Sequence, residues 1–467
     1  MSLELKSNGK YIGNSLVSSD APLPVNAIMF LDFENSQFVR KTAAGSVLRG
    51  NSAADVMSFQ RASIATYVGN DGLIKYAAAN EVVIEYDQNS LECLGFRAEY
   101  NATNRIVNSE NYSAANWGQT GLTLTANDAI APNGNKTATK IIESTSDTTT
   151  PSQRKLATSV SMAAVVGEPY TFSTFIKANT ATKVQLAALA GVSSPQYANF
   201  DLSSGKVTLS TANLLQANIE KFPNGWFRCS ITINPTVAED PQFTIALINN
   251  NSASDVTPSY PSTSPGSVYI WASQAERAAG YTSYIPTSGG EVTRQADLMT
   301  TPTGYTLIDP TKGTCFALMK HPFSLKLLST AYQSLACVFV LDNTEEGAHY
   351  RLAYRTRDNM YGQAAFGELN AVGGTNVSVN IPSLAPVSDS EQSAICLFNT
   401  ASKTMKVYDG QVWAYANPAT MPVSLNRLCV GRGYLGSTNW FTGHIKKIVY
   451  WAEELSEVQA EAYYNAL

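Results

Sequence analysis

Short strand-like runs, separated by turn residues, repeat along most of the chain. Between residues 122 and 276 the runs are LTLTA, ATKIIES, RKLATSVSM, YTFSTFIKA, VQLAALAG, ANFDLSSGKVTLS, GWFRCSITI, QFTIALIN and VYIWASQAE. They alternate or are rich in β-branched residues, and none of them continues for three helical turns. Amphipathic strands this short must bury their inner faces against one another. We therefore predict about nine antiparallel strands folded as a jelly-roll β-sandwich.

A second series of strand-like runs follows and ends in a helix. The runs are GTCFALMKH, SLACVFVLD, HYRLAYRTR, YGQAAFGEL, NVSVNI, SAICLFN, KTMKVYDGQVW, LNRLCVGRG and GHIKKIVYW. The final segment, Leu455 to Leu467, begins with Ser456, a typical helix N-cap. Helical spacing predicts that four apolar side chains share one face of this helix: Leu455, Val458, Ala462 and Tyr463. The sequence thus predicts an all-β chain with one short C-terminal helix.

Residues 281–290 separate the two series. This segment contains Pro286, Ser288, Gly289 and Gly290, which are typical of a loop or linker. A chain of 467 residues is also too long for a single core. We therefore predict four parts, which are a docking arm (1–57), a hairpin and connector (58–118), the jelly-roll sandwich (119–299) and a second sandwich (300–467).

The predicted docking arm has too few apolar residues for a core of its own. Asn8 and Gly9 are typical of a hairpin turn, and IMFLDF, residues 28–33, is typical of a short buried strand. A second hairpin is predicted where Gly69–Gly72 joins ATYV to LIKY. The first residues do not have the apolar core of a signal peptide, so we expect synthesis and assembly in a cytoplasm.

The composition disfavours several classes of protein. Hydrophobic residues make up 44% of the chain and charged residues 15%, which is typical of a folded, strand-rich protein. The net charge of −5 and the lack of a basic cluster argue against nucleic-acid binding. No apolar run is long enough to cross a membrane. We expect reduced thiols, mostly buried, because the cysteines form no C-x-x-C pair: Cys93, Cys229, Cys315, Cys337, Cys396 and Cys429.

The titratable residues form no recognisable catalytic motif. His321, His349 and His444 are isolated from one another, and the sequence contains no zinc-hydrolase, serine-hydrolase or nucleotide-binding motif. The paired glutamates, Glu345–Glu346 and Glu453–Glu454, are typical of turns and helix starts rather than of a glycosidase acid and nucleophile. These patterns favour a protein that is not an enzyme.

Four sequence blocks between residues 58 and 299 carry a family resemblance. They are FQRASIATYVGNDGLIKYAAANEVVIEYD, LGFRAEYNATNRIVNSENYSAANW, NGWFRCSITI and YIWASQAERAAGYTSYIPTSGGEVTRQADL. In this order they resemble a module of tailed-bacteriophage and prophage virion proteins. That module has an R-x-S-x-A-T-Y hairpin, a TN-x-x-x-NS connector, a jelly roll similar to carbohydrate-binding modules, and an S-Y-I-P-T segment ending in T-R-x-A-D. The family's acidic connector, L-x-E-E-x-x-T-N, appears here as FRAEYNATN, in which only Glu99 is kept.

The end of the chain resembles concanavalin A-like lectin and laminin-G sandwiches. In those domains a G-x-I-x-x-I strand and then an acidic L-S motif close the fold, and here Gly443 to Tyr450 and Glu454 to Val458 occupy these places. The resemblance covers about a third of the chain and implies a concanavalin-like second β-sandwich.

The tryptophans divide between strand patterns and a loop. Three lie inside strand patterns and are predicted to be core residues: Trp226, Trp271 and Trp451. Trp440 lies in a Gly-rich polar loop, where lectin-like sandwiches place their ligand loops. A sugar ring stacks its apolar face on an exposed aromatic ring. We therefore predict Trp440 as a ligand-binding residue, with Arg432 and Tyr434 as its companions.

No cofactor or catalytic metal is expected from the sequence. Asp342 and Asn343, at the end of a strand-like run, suit either a structural calcium ion or a turn cap, and the turn is favoured.

These observations favour a non-enzymatic phage virion protein of the tail, baseplate or head that contacts host-surface glycans during adsorption. We expect other virion proteins to bind the docking arm, and we expect a homo-oligomer located in the virion, with neither nucleic-acid binding nor membrane insertion. Two alternatives stay open. One is a structural or decoration protein that binds only virion subunits, and the other is a glycan-degrading enzyme of the tailspike type.

Overall fold

The computed structural model describes residues 23–144, 152–161, 164–262, 264–320, 335–342, 349–355, 363–370, 377–379, 391–418, 421–422, 424–432 and 441–467. The first strands are β1 (Met29–Asp32), β2 (Gln37–Lys41), β3 (Val47–Gly50), β4 (Ser58–Gln60), β5 (Ala65–Val68), β6 (Ile74–Ala77), β7 (Ile84–Tyr86), β8 (Cys93–Ala98) and β9 (Ala102–Asn104). A one-turn helix, α1 (Ala53–Val56), precedes β4.

The middle of the chain forms the next group of strands. They are β10 (Trp117–Thr120), β11 (Leu122–Ala129), β12 (Ala138–Glu143), β13 (Lys155–Ser159), β14 (Tyr170–Ala178), β15 (Lys183–Ala188), β16 (Gln196–Asp201), β17 (Lys206–Ser210), β18 (Gln216–Lys221), β19 (Trp226–Ile233), β20 (Gln242–Leu247), β21 (Ser267–Glu276) and β22 (Val292–Arg294). A 3-10 turn, Pro223–Gly225, separates β18 from β19.

The last group completes the all-β fold, and the predicted fold class is confirmed. Its strands are β23 (Leu298–Thr300), β24 (Lys312–Lys320), β25 (Leu335–Asp342), β26 (His349–Arg355), β27 (Gln363–Asn370), β28 (Val377–Ser378), β29 (Glu391–Asn399), β30 (Thr404–Tyr408), β31 (Trp413–Ala416), β32 (Arg427–Val430) and β33 (Gly443–Trp451). Helix α2 (Glu457–Ala466) ends the chain.

Strands β10 to β21 form what we call the inserted sandwich. It consists of two six-stranded antiparallel sheets with the orders β10-β13-β20-β15-β16-β17 and β11-β12-β21-β14-β19-β18. Phe172 of β14 stacks on Phe243 of β20 in the core, with ring centroids 5.0 Å apart. Because side chains alternate along a strand, Phe175 points to the opposite face of β14. That outer face is covered by the β5–β6 hairpin, whose Val68 and Ile74 pack with Phe175 in one apolar cluster.

The remaining strands form a second sandwich from separate parts of the chain. A ten-stranded sheet has the order β3-β2-β1-β33-β24-β29-β30-β31, with β8 also on β33 and β7 on β8, and a seven-stranded sheet has the order β28-β27-β26-β25-β32-β23-β4. We call this the discontinuous sandwich, because the chain leaves it after β8 and returns at β23. The outgoing strand β9 and the returning strand β22 pair antiparallel, and we call this connection the neck.

The predicted docking arm differs from what the structure shows. Residues 1–22 lie outside the described residues, but residues 23–57 form β1 to β3 and α1 of the discontinuous sandwich. Strand β1 pairs with β33 from Met29 opposite Tyr450 to Asp32 opposite Lys447. The run IMFLDF is indeed a buried strand, and it is placed by a partner more than 400 residues away. Its role in docking stays a prediction.

The predicted linker at residues 281–290 contains neither helix nor strand, but it is exposed only at Ser288 and Gly289. Tyr281, Tyr284 and Ile285 are buried. The Thr66 hydroxyl of the β5–β6 hairpin donates a hydrogen bond to the Tyr284 carbonyl oxygen at 2.6 Å. Turn-forming residues correctly indicated a segment without helix, whereas its packing depended on side chains far away in sequence.

Helix α2 begins where the sequence predicts. The Ser456 hydroxyl accepts a hydrogen bond from the Gln459 backbone N–H, and the Gln459 side-chain oxygen accepts one from the Ser456 backbone N–H. The predicted apolar face is partly wrong, because Val458 is 77% exposed. Ala460 is the buried residue of the helix, and Tyr464 contacts the sheet through Ser393 instead.

The predicted β5–β6 hairpin and the prediction of free, mostly buried thiols are confirmed for the described residues. The hairpin of residues 65–77 has Ala65 opposite Ala77. Four cysteines are buried free thiols, namely Cys229, Cys315, Cys396 and Cys429, whereas Cys93 is a partly buried free thiol. The side chain of Cys337 lies outside the described residues. Neither helix in the described part of the chain is long and apolar enough to cross a membrane.

Strand β18 is one of the strands that the sequence did not predict. Strand β18, with the sequence QANIEK, has no fully buried side chain, so its pattern of apolar residues is weak. It nevertheless pairs with β19 along six residues, from Gln216 opposite Thr232 to Lys221 opposite Phe227. This edge strand borders the site described next.

Candidate functional site

The residues predicted to bind ligand are only partly described. Trp440 and Tyr434 lie outside the described residues, so that prediction is not tested. Arg432 lies two residues after β32 and is partly buried, and burial lowers the pKa of its guanidinium. Asp342, at the end of β25, is buried and accepts two hydrogen bonds from the Arg427 guanidinium, at 2.7 and 2.6 Å. The Asp342 side chain therefore stabilises the sheet through Arg427.

The other predicted core and turn residues have structural roles. Trp226, Trp271 and Trp451 are all buried, as predicted. Glu454 accepts a hydrogen bond from Asn399 at 2.7 Å near the start of α2, while Glu345 and Glu346 lie outside the described residues. Among the described residues, no group of three or more His, Cys, Asp or Glu side chains is placed to hold a metal ion.

The neck carries a buried cluster of charged side chains. We call Arg61, Arg97, Glu99, Arg294 and Asp297 the neck cluster. The Arg97 Nη2 donates to Glu99 Oε1 at 2.9 Å, and the Arg294 Nε lies 3.3 Å from Glu99 Oε2. The Arg61 Nη1 donates to Asp297 Oδ1 at 3.0 Å. The cluster joins the outgoing chain to the returning chain, since Glu99 follows β8 and Asp297 precedes β23.

The sequence blocks that carry the resemblance meet in this cluster. Arg61 belongs to the R-x-S-x-A-T-Y block, Glu99 is the kept acid of the connector, and Arg294 and Asp297 belong to T-R-x-A-D. Glu99 also accepts from the backbone N–H and hydroxyl of Ser283, at 2.8 and 2.6 Å. The motifs therefore hold the two sandwiches together at the neck.

The pKa values of the two carboxyl groups in the neck cluster shift in opposite directions. Burial by itself would raise the pKa of Glu99, but Arg294, Arg97 and the Ser283 hydrogen bonds lower the pKa to about 2. Burial raises the pKa of Asp297, and repulsion from Glu99 adds to this despite the attraction of Arg294 and Arg61. Glu99 is therefore the carboxylate on which the charge balance of the neck depends.

A second polar group lies beside the neck, around Glu85. The His444 Nε2 and Glu85 Oε2 are 2.7 Å apart, and the Arg97 guanidinium bonds to the same oxygen. The Val68 backbone N–H donates to Glu85 Oε1 at 3.1 Å. Burial would raise the pKa of Glu85, but Arg97 and His444 outweigh it and lower that pKa. His444, which is isolated in the sequence, thus helps to position a buried carboxylate.

A groove opens between the two sandwiches above these groups. Its deep part has a volume of about 440 Å³ and is lined by both hairpins and by β18, including Tyr67, Tyr86 and Lys221. A shallower part of about 680 Å³ shares Tyr67, Ile74 and Tyr86 with it and adds Tyr76. We call both parts together the interdomain groove. Tyr76 is 46% exposed, so its ring is accessible.

Hydrogen bonds between the sandwiches fix one rim of the groove. The Gln88 side-chain amide donates to Glu220 Oε1 at 2.9 Å, and the Asn89 amide donates to the Lys221 carbonyl oxygen at 3.0 Å. The Tyr281 hydroxyl donates to the second Glu220 oxygen at 2.8 Å. Because the first two bonds join the β7–β8 hairpin to β18 and the third joins the returning segment to it, the groove walls are pre-organised relative to each other.

The arrangement suits the binding of a hydroxylated ligand. Tyr67, Tyr76 and Tyr86 offer aromatic faces, while amide, carboxylate and cationic groups line the same surface. Sugar rings need this combination, because they present one apolar face and many hydroxyl groups.

The groove residues were not predicted as a site from the sequence. Tyr67 was assigned to a hairpin and Arg228 to a strand of the predicted sandwich, because local sequence patterns report only strand faces. The one available signal was that Tyr67, Arg228 and Tyr281 all lie inside the sequence blocks that carry the resemblance.

Several solved structures match about a third of the chain. The CBM40 of Ruminococcus gnavus IT-sialidase, bound to alpha2,3 sialyllactose, matches with a TM-score of 0.27 and 15% identity over 34% of this chain and 84% of that chain. The botulinum neurotoxin serotype D binding domain matches with a TM-score of 0.29 and 13% identity, covering 36% of this chain and 40% of that one. Domain 4 of AbnA, a GH43 arabinanase from Geobacillus stearothermophilus in complex with arabinotriose, matches with a TM-score of 0.27 and 12% identity over 39% and 81%.

These matches are to β-sandwich domains. No family model matches the sequence, and no curated protein sequence matches it either.

Proposed function

We propose that this chain is a non-enzymatic virion protein of a tailed bacteriophage and that it binds a host-surface saccharide in the interdomain groove. The proposal rests on one observation, which is a groove lined by tyrosine rings and many polar groups at a pre-organised junction of two sandwiches. Binding sites at domain interfaces commonly combine apolar walls with a few placed polar groups.

The virion assignment is supported by the order of the sequence blocks. The blocks resemble a phage virion module, and their charged residues meet at the neck. A rigid neck suits a protein that displays a binding groove on a particle, because the groove then keeps a fixed orientation. The predicted site around Trp440 stays a second candidate for the same function.

The test is a binding measurement with a matched pair of variants. Tyr76→Ala should weaken binding of host-surface oligosaccharides by about tenfold, equivalent to about 1.4 kcal/mol. Its melting temperature should stay nearly unchanged, since Tyr76 is 46% exposed. Tyr415→Ala is the control, because Tyr415 is 55% exposed on β31, away from the groove, and should leave binding unchanged.

Other outcomes select the alternatives. Retained incorporation into particles without any saccharide binding would favour a purely structural or decoration protein. Release of reducing sugar from host polysaccharide would favour the glycan-degrading enzyme. Absence of the chain from purified particles, measured with an antibody against it, would overturn the virion assignment.

A further inference from the structure

Arg228 lies in the deep part of the interdomain groove with its guanidinium between two aromatic rings. It belongs to β19, opposite Phe175 of β14 and Glu220 of β18. Its guanidinium carbon lies 3.9 Å from the ring centroid of Tyr281 and 5.3 Å from that of Phe175. The residue is only 5% exposed, yet it contributes to the groove lining.

The guanidinium of Arg228 has no ion pair within the described residues. Its single hydrogen bond is from Nη2 to the Ser173 hydroxyl oxygen at 3.1 Å, and its buried Nε has no hydrogen-bond partner in the described structure. Glu220 and Glu276 attract it, but neither lies within the 4.0 Å of an ion pair. By contrast, the buried Arg61 and Arg294 each have a carboxylate oxygen within that distance.

A buried cation without a counter-charge is costly for a folded protein. Removing a guanidinium from water costs several kcal/mol unless an anion and hydrogen bonds replace the water. Burial accordingly lowers the pKa of Arg228, although an arginine keeps its proton. An unpaired buried charge that borders a cavity is therefore a candidate for pairing with a ligand.

The carboxylates of the deep groove are already engaged. Glu85 is bonded to Arg97 and His444, and Glu220 accepts from Tyr281 and Gln88. Asp87 accepts backbone N–H groups at 2.9 and 2.7 Å, from the two residues that follow Gln88. Four cationic side chains stand against these three carboxylates in the lining, namely Arg97, Lys221, Arg228 and Lys320. The lining of the deep groove therefore has one more positively than negatively charged side chain, and Arg228 is the most buried of the four cations.

We propose that the saccharide bound in the interdomain groove is acidic and that Arg228 pairs with its carboxylate. This inference rests on the proposed function and adds the chemical class of the ligand. Guanidinium groups bind carboxylates through paired, charge-assisted hydrogen bonds, for which Arg228 has unused donors. The Tyr281 and Phe175 rings contact the guanidinium and restrict its movement.

The experiment compares acidic oligosaccharides with their own uncharged forms. The full-length chain is titrated with oligogalacturonate, oligomeric sialic acid and alginate oligomers, each beside its carboxyl-reduced product, and with a sulfated neutral glucan. At least one acidic oligomer should bind about thirtyfold more tightly than its reduced form, the effect of losing a hydrogen-bonded charge pair. The sulfated glucan should not reproduce this affinity.

Variants locate the effect at Arg228. Arg228→Gln should abolish the preference for the acidic form, and Arg228→Lys should restore part of it because the charge is kept. Arg105→Gln is the control of equal charge change, since Arg105 is partly exposed at the neck and outside the groove lining. Thermal denaturation checks that each variant is folded. If a variant does not fold, the comparison of acidic with carboxyl-reduced oligomers on the unmodified chain still tests the inference.

The outcomes separate the two proposals. Equal binding of acidic and carboxyl-reduced oligomers, or an unchanged preference in folded Arg228→Gln, overturns the acidic-ligand inference and leaves saccharide binding standing. Tighter binding of the sulfated glucan than of every carboxylate oligomer also overturns it. Failure of all saccharides, charged and neutral, to bind overturns the proposed function itself.

Discussion

Replacing Glu99 by glutamine should destabilise the neck more than removing the charge of an exposed side chain does. Glu99 is 2% exposed and contacts Arg97, Arg294 and Ser283 at 2.6 to 3.3 Å. Glutamine keeps the size of the side chain but removes the negative charge and turns an amide N–H toward two guanidinium groups. Arg97 and Arg294 would then stay buried with only Glu85 and Asp297 as counter-charges.

The expected loss of stability can be derived from the pKa of Glu99. The pKa of Glu99 is about 2, against an ordinary 4.5. At 1.36 kcal/mol per unit this difference corresponds to about 3 kcal/mol of favourable interaction. Breaking a buried ion pair by removing one partner typically costs about 3–5 kcal/mol. We therefore expect Glu99→Gln to lower the free energy of unfolding by about 3 kcal/mol.

Urea denaturation followed by tryptophan fluorescence and circular dichroism measures this loss. Because Glu99 links the outgoing chain to Ser283 of the returning segment, the variant should also separate the unfolding of the two sandwiches, visible as two transitions in calorimetry. Glu291→Gln is the matched control: its pair with Arg105 is about one-third exposed and should cost less than about 1 kcal/mol. A Glu99→Gln loss no larger than that of the control would refute the reasoning.

Two further predictions concern acid and truncation. Because the pKa of Glu99 is lowered in the folded state, its carboxylate stabilises the fold fully above pH 4.5, and this stabilisation is lost as the pH falls toward 2. Between pH 4.5 and 2 the melting temperature of the unmodified chain should therefore drop more steeply than that of Glu99→Gln. A parallel fall in both would contradict the assignment. Deleting residues 1–57 removes the β1 partner of β33 and should give an insoluble or non-cooperative chain, whereas deleting residues 1–22 removes none of the described strands. A soluble 58–467 fragment with sharp unfolding would show that this pairing is dispensable.

Much of the secondary structure could be predicted because it is encoded in neighbouring residues. Strand β14 reads YTFSTFIKA, and the position of Phe172 and Phe175 on opposite faces follows from alternation alone. Ser456 identifies the start of α2 because a hydroxyl at that position satisfies N–H groups within the same turn. Strand β18 lacked such a signal, since its side chains are all partly exposed or exposed.

The site could not be predicted in the same way, and Arg228 illustrates why. In the sequence it is the one charged residue in the strand-like run GWFRCSITI, and only the packing of Tyr281 and the course of β18 make it line a groove. The charge on Arg228 is unusual because no carboxylate of the described residues lies within ion-pair distance of it. The linear sequence does not show which side chains surround a residue in the folded protein.

The sequence by itself determined an all-β chain, its hairpins, its capped final helix and the order of its motif blocks, because strand alternation and capping act over a few residues. Only the tertiary structure decided that β1 belongs beside β33, that the middle sandwich is inserted, and that a groove lies between the two. Glu85 and His444 are 359 positions apart, and Glu99 and Ser283 are 184 apart. Such pairs form because buried charges and unpaired strand edges must find partners, and the partner is selected by the folded arrangement of the whole chain.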